Sequence, residues 1–194
     1  MIPKNTAKLM RFLLRNIEKN GYNINQIAKF LKISVGSSFK ILKDLERRKI
    51  ATTQTIGNAT HFNLDLNNPE TVKLCELLLL EERRQLTGYA KIYGELIQNF
   101  RDAELIVLFG SILTKREFND VDVLFVTNKA KEASDFCLEA SKIRTKPIVP
   151  LILKKGDLVR ELKNRREAVT SLIREGAVLK GESAFIEVIK NAKK

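Results

Sequence analysis

Four residues in the second half of the chain have the types and spacing that chemistry needs. They are the pair Gly110-Ser111 and, after eight intervening residues, Asp120 and Asp122 of an Asp-x-Asp run. Glycine lacks a Cβ, so backbone N–H groups beside it can approach a phosphate closely, and the Ser111 hydroxyl can donate a further hydrogen bond. Residues i and i+2 of a strand share a face, so Asp120 and Asp122 set two carboxylates side by side while Val121 turns into the core. Adjacent carboxylates repel unless a cation lies between them, and hard oxygens so placed suit Mg²⁺ bound to substrate phosphates.

These residues need two strands to hold them. The apolar runs Leu105–Phe109 and Val121–Val126 read as buried strands, with Gly110-Ser111 directly after the first and the aspartates opening the second. Around them the pattern predicts an amphipathic helix near 129–144, a strand over 147–153 and a charged helical stretch over 158–175. A short strand over 176–181 and a closing helix over 183–192 follow. Upstream, Asn67-Asn68-Pro69-Glu70 marks a boundary by its turn chemistry, and 70–99 reads as helical with a break near Thr87-Gly88.

The order strand, Gly-Ser, helix, Asp-x-Asp, strand, from about Asp102 to Gly181, resembles the nucleotidyltransferase superfamily related to DNA polymerase β, and in size its minimal members. The resemblance implies an α/β sandwich with a mixed sheet and transfer of a nucleoside monophosphate from an NTP, usually ATP. Asp120 and Asp122 would be the catalytic metal ligands for Mg²⁺, and Gly110 and Ser111 would hold the triphosphate. Lys115 and Arg116 can approach a phosphate or serve as solvated helix-end charges. The chain departs from the pattern in three ways. Its loop between Ser111 and Asp120 is short, that loop lacks small residues and glycine, and no third carboxylate follows. The run Pro147-Ile-Val-Pro-Leu-Ile-Leu153 holds no Asp or Glu, and Pro150 stands in the expected region. Asp157 lies beyond it and reads as a helix cap. Loss of a general base typically costs about 10²–10⁴-fold in rate, which leaves transferase activity open.

The first third has a different character. Leu9, Met10, Leu13, Leu14 and Ile17 recur at helical spacing, with Thr6 as cap and Asn20-Gly21 as stop. Asn23 and Gln26 have capping-box spacing before a short stripe of Ile24, Ile27, Ala28 and Leu31. Ser34 is placed to cap a third helix whose Val35, Phe39, Leu42 and Leu45 are expected to point inward. Two β-rich runs, 50–56 and 59–66, flank Gly57-Asn58 and read as a hairpin. This order over residues 1–66, carried above all by Ile33–Ile50, resembles a winged helix-turn-helix domain. The resemblance implies DNA as partner, with the third helix in the major groove. Ser37, Ser38, Lys40 and Lys43 on that helix, and Gln54 and Asn58 on the hairpin, are the candidate DNA-binding residues. The lone His61 is given no role.

Charge supports the division. Of 35 Lys+Arg and 23 Asp+Glu, residues 1–66 hold 12 and 4, a net of +8 within a total of +12. A compact basic module favours a polyanion. The expected organisation is therefore α+β, with a winged-helix domain over 1–66, a helical connector over 67–101 and a nucleotidyltransferase-like domain over 102–194. The functional expectation is a DNA-binding transcriptional regulator whose second domain binds Mg–NTP. The alternative is an inactive nucleotidyltransferase remnant serving as a protein-interaction or antitoxin-like module. A two-fold DNA reader would make a homodimer natural. Two unspaced cysteines, Cys75 and Cys137, argue against a zinc site or disulfide framework. The absence of a long apolar span or a secretory pattern points to the cytoplasm and no membrane partner.

Overall fold

The computed structural model describes residues 2–17, 20–114 and 117–193. The chain is α+β and divides into two compact units, Met1–Leu78 with Ile189–Lys194, and Leu79–Val188. The boundaries fall inside helices, so the expected connector is shared between the units.

The first unit opens with α1 (Lys4–Arg15), which starts from Pro3 rather than from Thr6 and ends at Asn16, before Asn20-Gly21. Pro3 is the cap residue, no side chain caps the helix, and Thr6 lies within its first turn. A two-residue strand, β1 (Tyr22–Asn23), leads into α2 (Ile24–Leu31). The Asn23–Gln26 capping box forms reciprocally, each side chain meeting the other's backbone N–H at 2.9 Å. Ser34 accepts a hydrogen bond from the Ser37 N–H at 3.1 Å and starts α3 (Val35–Arg47). The hairpin β2 (Ala51–Ile56) and β3 (Ala59–Leu64) turns at Gly57, whose φ of +58° glycine accommodates readily. β1 pairs with β3 and completes a three-stranded antiparallel sheet in the order β1-β3-β2. Leu9, Met10, Leu13, Leu14, Ile27, Leu42, Leu45, Ile50 and Phe62 form its fully buried core.

Helix α4 (Pro69–Arg84) begins in the first unit, and α5 (Gly88–Ile97) belongs to the second. The break between them lies at Gln85–Thr87, as the glycine suggested. Then come β4 (Leu105–Phe109), a single 3₁₀ turn over Ser111–Leu113, β5 (Val121–Val126), α6 (Ala130–Lys142) and β6 (Ile148–Leu153). The charged stretch expected as one helix is two, α7 (Lys155–Lys163) and α8 (Glu167–Glu175), parted where Arg165 takes φ +52°. Asp157 lies in the first turn of α7 and pairs with Arg160 at 2.8 Å; the cap position belongs to Lys154. β7 (Ala177–Lys180) and α9 (Glu182–Ala192) close the chain.

The second sheet has the order β6-β5-β4-β7, with β4 antiparallel to β5 and β7, and β5 parallel to β6. Its two central strands, β4 and β5, are apolar on both sides apart from Asp122, as strands covered on two faces must be. Ile106, Leu108, Val121, Val123 and Phe125 join one core with Tyr93, Ile97, Cys137 and Ala140 of the adjoining helices and Phe100 just after α5. The opposite face carries Leu105, Val107, Leu124 and Val126, also buried, and α8 packs on β4. Both cysteines are buried thiols; burial pushes Cys75 up to about 12 and Cys137 to about 11. Among the described residues no helix is long and apolar enough to cross a membrane.

Candidate functional site

The acidic site follows from the register of β4 on β5. Phe109 pairs with Asp122, Val107 with Leu124 and Leu105 with Val126, so one column of side chains runs Val126, Leu124, Asp122 and ends in a carboxylate. The chain then turns at Gly110, with φ +82° and ψ −158°, a region open essentially to glycine alone. A Cβ there would sit 2.2 Å from Asp122 Oδ2. Gly110 is thus a close approach of backbone to carboxylate. The 3₁₀ turn after it uses the N–H groups of Leu113 (to Gly110 C=O, 3.2 Å) and Thr114 (to Ser111 C=O, 3.1 Å). The N–H groups of Ser111 and Ile112 open that turn and have no partner within it.

Asp122 is half-buried and its carboxyl is held above the usual aspartate range, first by burial and then by the charge of Asp120. Asp120, also half-buried, lies just ahead of β5. The structure thus brings Gly110, Asp120 and Asp122 together, with Ser111 next in the turn. Lys115 lies outside the described residues. Among those residues, no group of three His, Cys, Asp or Glu side chains could hold a metal ion.

The parallel register corrects the place given to Pro150. Asp122 pairs with Val149, and Pro150 pairs with Val123, whose side chain belongs to the opposite face. Beside the carboxylates the sheet therefore presents Val149 and, one row on, Leu151, both exposed. The alternation of β6 carried this signal, but only the partner strand fixes which parity faces Asp122.

On the first unit, α3 is rotated from the expected orientation. Ser38 is fully buried, so it is withdrawn from the candidate DNA contacts. Its hydroxyl donates to the Ser34 C=O at 3.1 Å, which lets a polar group enter the core without an orphan donor. Ser38, Leu42 and Leu45 form the inward stripe, while Val35 and Phe39, expected inside, are 51% and 48% exposed. Both stripes obey helical spacing, and the serine disguised the correct one. Ser37 is half-buried, and Lys40, Lys43, Gln54 and Asn58 are exposed. Much of the basic charge of α3 is partnered: Lys43 with Glu46 at 2.8 Å, Arg47 with Asp44 at 2.5 Å and Arg48 with Glu70 at 2.5 Å. The Lys43 bond holds the Glu46 carboxyl below its usual range. Lys40 makes no ion pair among the described residues. His61 is half-buried, its Nδ1 3.3 Å from the Gly21 C=O.

No protein-family model, curated protein or solved structure matches this chain.

Two outcomes test the acidic site. Gly110→Ala is expected to destabilise the protein by about 1–3 kcal/mol, the cost of forcing a side chain into a glycine-only conformation, and to turn the Asp122 carboxylate away; denaturant unfolding measures the loss. Asp122 binds its proton more tightly folded than unfolded, so its own contribution to stability falls as pH rises through the carboxylate range. Asp122→Asn is expected to raise Tm at neutral pH and flatten that fall; thermal melts between about pH 4 and pH 7 read it, and a lower Tm at neutral pH would refute it.

Proposed function

We propose that the protein is a DNA-binding regulator in which α3 and the β2–β3 hairpin meet the duplex and the second unit binds a Mg²⁺–nucleotide. The observation that supports the first part is a groove of about 480 Å³ that α3 shares with the hairpin tip, lined by Val35, Gly36 and Phe39 and by Asn58, Ala59 and Thr60. A helix N-terminal half and a hairpin tip exposed on one surface, in the most basic part of the chain, match the way such motifs place a helix in the major groove. Ser37, Lys40, Gln54 and Asn58 remain candidate contacts. Lys43 must exchange Glu46 for a phosphate to contribute.

The second part is supported by the Gly110–Asp122 approach. The backbone at Gly110 passes so close to the Asp122 carboxylate that a Cβ would clash with it, and Asp120 adds a second hard oxygen ligand. Two carboxylates beside a glycine turn fit Mg²⁺ carrying a triphosphate, which would offset both the burial and the Asp120 repulsion that raise Asp122. Asp120 and Asp122 would hold the metal, and Gly110 and Ser111 would meet phosphate oxygens. Bound there, the metal would polarise a phosphoryl group. With Val149 and Leu151 beside Asp122, no side chain on that part of the sheet is available as a base, so the site suits binding better than transfer. ATP is the nucleotide to try first.

Titration of a random-sequence duplex at several salt concentrations is expected to give saturable binding. Lys40→Ala should lower the slope of log K against log salt by about 0.9, and Lys43→Ala should act less. Absence of binding, or a slope unchanged by Lys40→Ala, would remove the assignment of α3. Calorimetric titration with Mg²⁺–ATP is expected to show saturable heat that Asp120→Asn/Asp122→Asn abolishes; equal heat in both proteins would reject the metal site.

A further inference from the structure

The exposed face of α3 opens with apolar Val35 and Phe39 where a reader of base edges would be expected to carry hydrogen-bonding side chains. Val35 and Phe39 are four residues apart and so lie one above the other on the helix. Between them Gly36 leaves open space, with nothing within 4 Å of where a Cβ would sit. Exposed valine and phenylalanine on one helix face cost solvation unless something apolar covers them.

We propose that Val35 and Phe39 read thymine C5-methyl groups in the DNA major groove, so that the duplex is selected at these positions by methyl contact. The inference rests on the DNA-binding reading above. The thymine methyl is the one apolar feature the major groove displays, and side chains of this kind are its partners. Charge selects this occupant over a protein. The groove lies in the part of the chain with net charge +8, and the exposed, unpaired Lys40 follows Phe39 directly on α3. Part of the remaining lining suits a base edge. Asn25 and Asn58 bring amides, which pair with adenine N6 and N7, the partner of thymine in each A·T pair. The small residues Gly36, Ala59 and Thr60 allow close approach.

The test uses the full chain. Duplexes enriched from a random library are resynthesised with deoxyuridine in place of thymidine, a change that removes only the C5 methyl, and affinity is read by fluorescence anisotropy. Wild type is expected to lose about fourfold per contacted methyl, the weight of one buried methyl group. Val35→Ala/Phe39→Ala, whose targets are exposed and whose Tm should stay near wild type, is expected to bind the two forms equally. Lys40→Ala is expected to weaken both forms alike and keep the preference for thymine. Deoxyuridine duplexes bound as tightly as thymidine duplexes, or enriched duplexes without thymine, would overturn the methyl readout while leaving DNA binding standing. Failure to enrich any duplex would overturn both readings. Self-association of wild type that Val35→Ala/Phe39→Ala abolishes, with thymine preference unchanged, would assign the face to a second copy and overturn the proposal.

Discussion

The close approach of the Gly110 backbone to the Asp122 carboxylate is the constraint on which the acidic corner of the second unit depends. It is a product of packing. Strands β4 and β5 are apolar on both faces, with Ile106, Leu108, Val123 and Phe125 filling one core and Leu105, Val107, Leu124 and Val126 covered on the other. A slip of one residue would carry Asp122 to the face where Val121 and Val123 are buried. The core therefore fixes the register, the register places Asp122 opposite Phe109, and the turn after Phe109 must pass against a carboxylate. Only glycine fits that turn. The site is held by a buried sheet and costs electrostatic energy, visible in the raised Asp122 carboxyl.

The same logic makes β6 decisive. A parallel neighbour sets its parity by pairing, and Val121↔Ile148 through Val126↔Leu153 puts Val149 and Leu151 on the carboxylate side. An apolar row next to two aspartates leaves a deprotonating group no anchor there. Pro150, an inviting candidate when the strand is read alone, faces the other way. Strand existence was legible from the run of β-branched residues; its facing was not, because alternation states only that neighbours differ.

The first unit teaches the complementary lesson. The caps Asn23, Gln26 and Ser34 and the turn at Gly57 were readable because each rests on local chemistry, a side-chain oxygen reaching an N–H or a left-handed backbone. The orientation of α3 was not. Val35, Phe39 and Leu42 share one stripe and Ser38, Leu42 and Leu45 another, two overlapping stripes that both satisfy helical spacing. Hydrophobicity favours the first. Folding chose the second because Ser38 can satisfy its hydroxyl on Ser34 inside its own helix, and so enters the core at little cost. β1 escaped notice for another reason: two residues carry no periodicity, and their pairing with Phe62 and His61 is a tertiary fact.

That rotation also changes what the basic charge means. The count of +8 over the first 66 residues treats each lysine and arginine as available. Along α3 and its C-cap, Lys43 is engaged by Glu46, Arg47 by Asp44 and Arg48 by Glu70 of α4, leaving Lys40 as the helix's unpaired cation among the described residues. Each engaged cation must give up its carboxylate before it meets a phosphate, and the exchange returns less than a free lysine would. A polyanion would then be held on α3 by fewer phosphate contacts than the sequence suggests. With the nonspecific term so reduced, discrimination must come from short-range contact at the exposed face, where Val35 and Phe39 stand. In the DNA-binding reading proposed above, charge would bring the partner to the surface, and shape and apolar complementarity at two side chains would decide which partner stays.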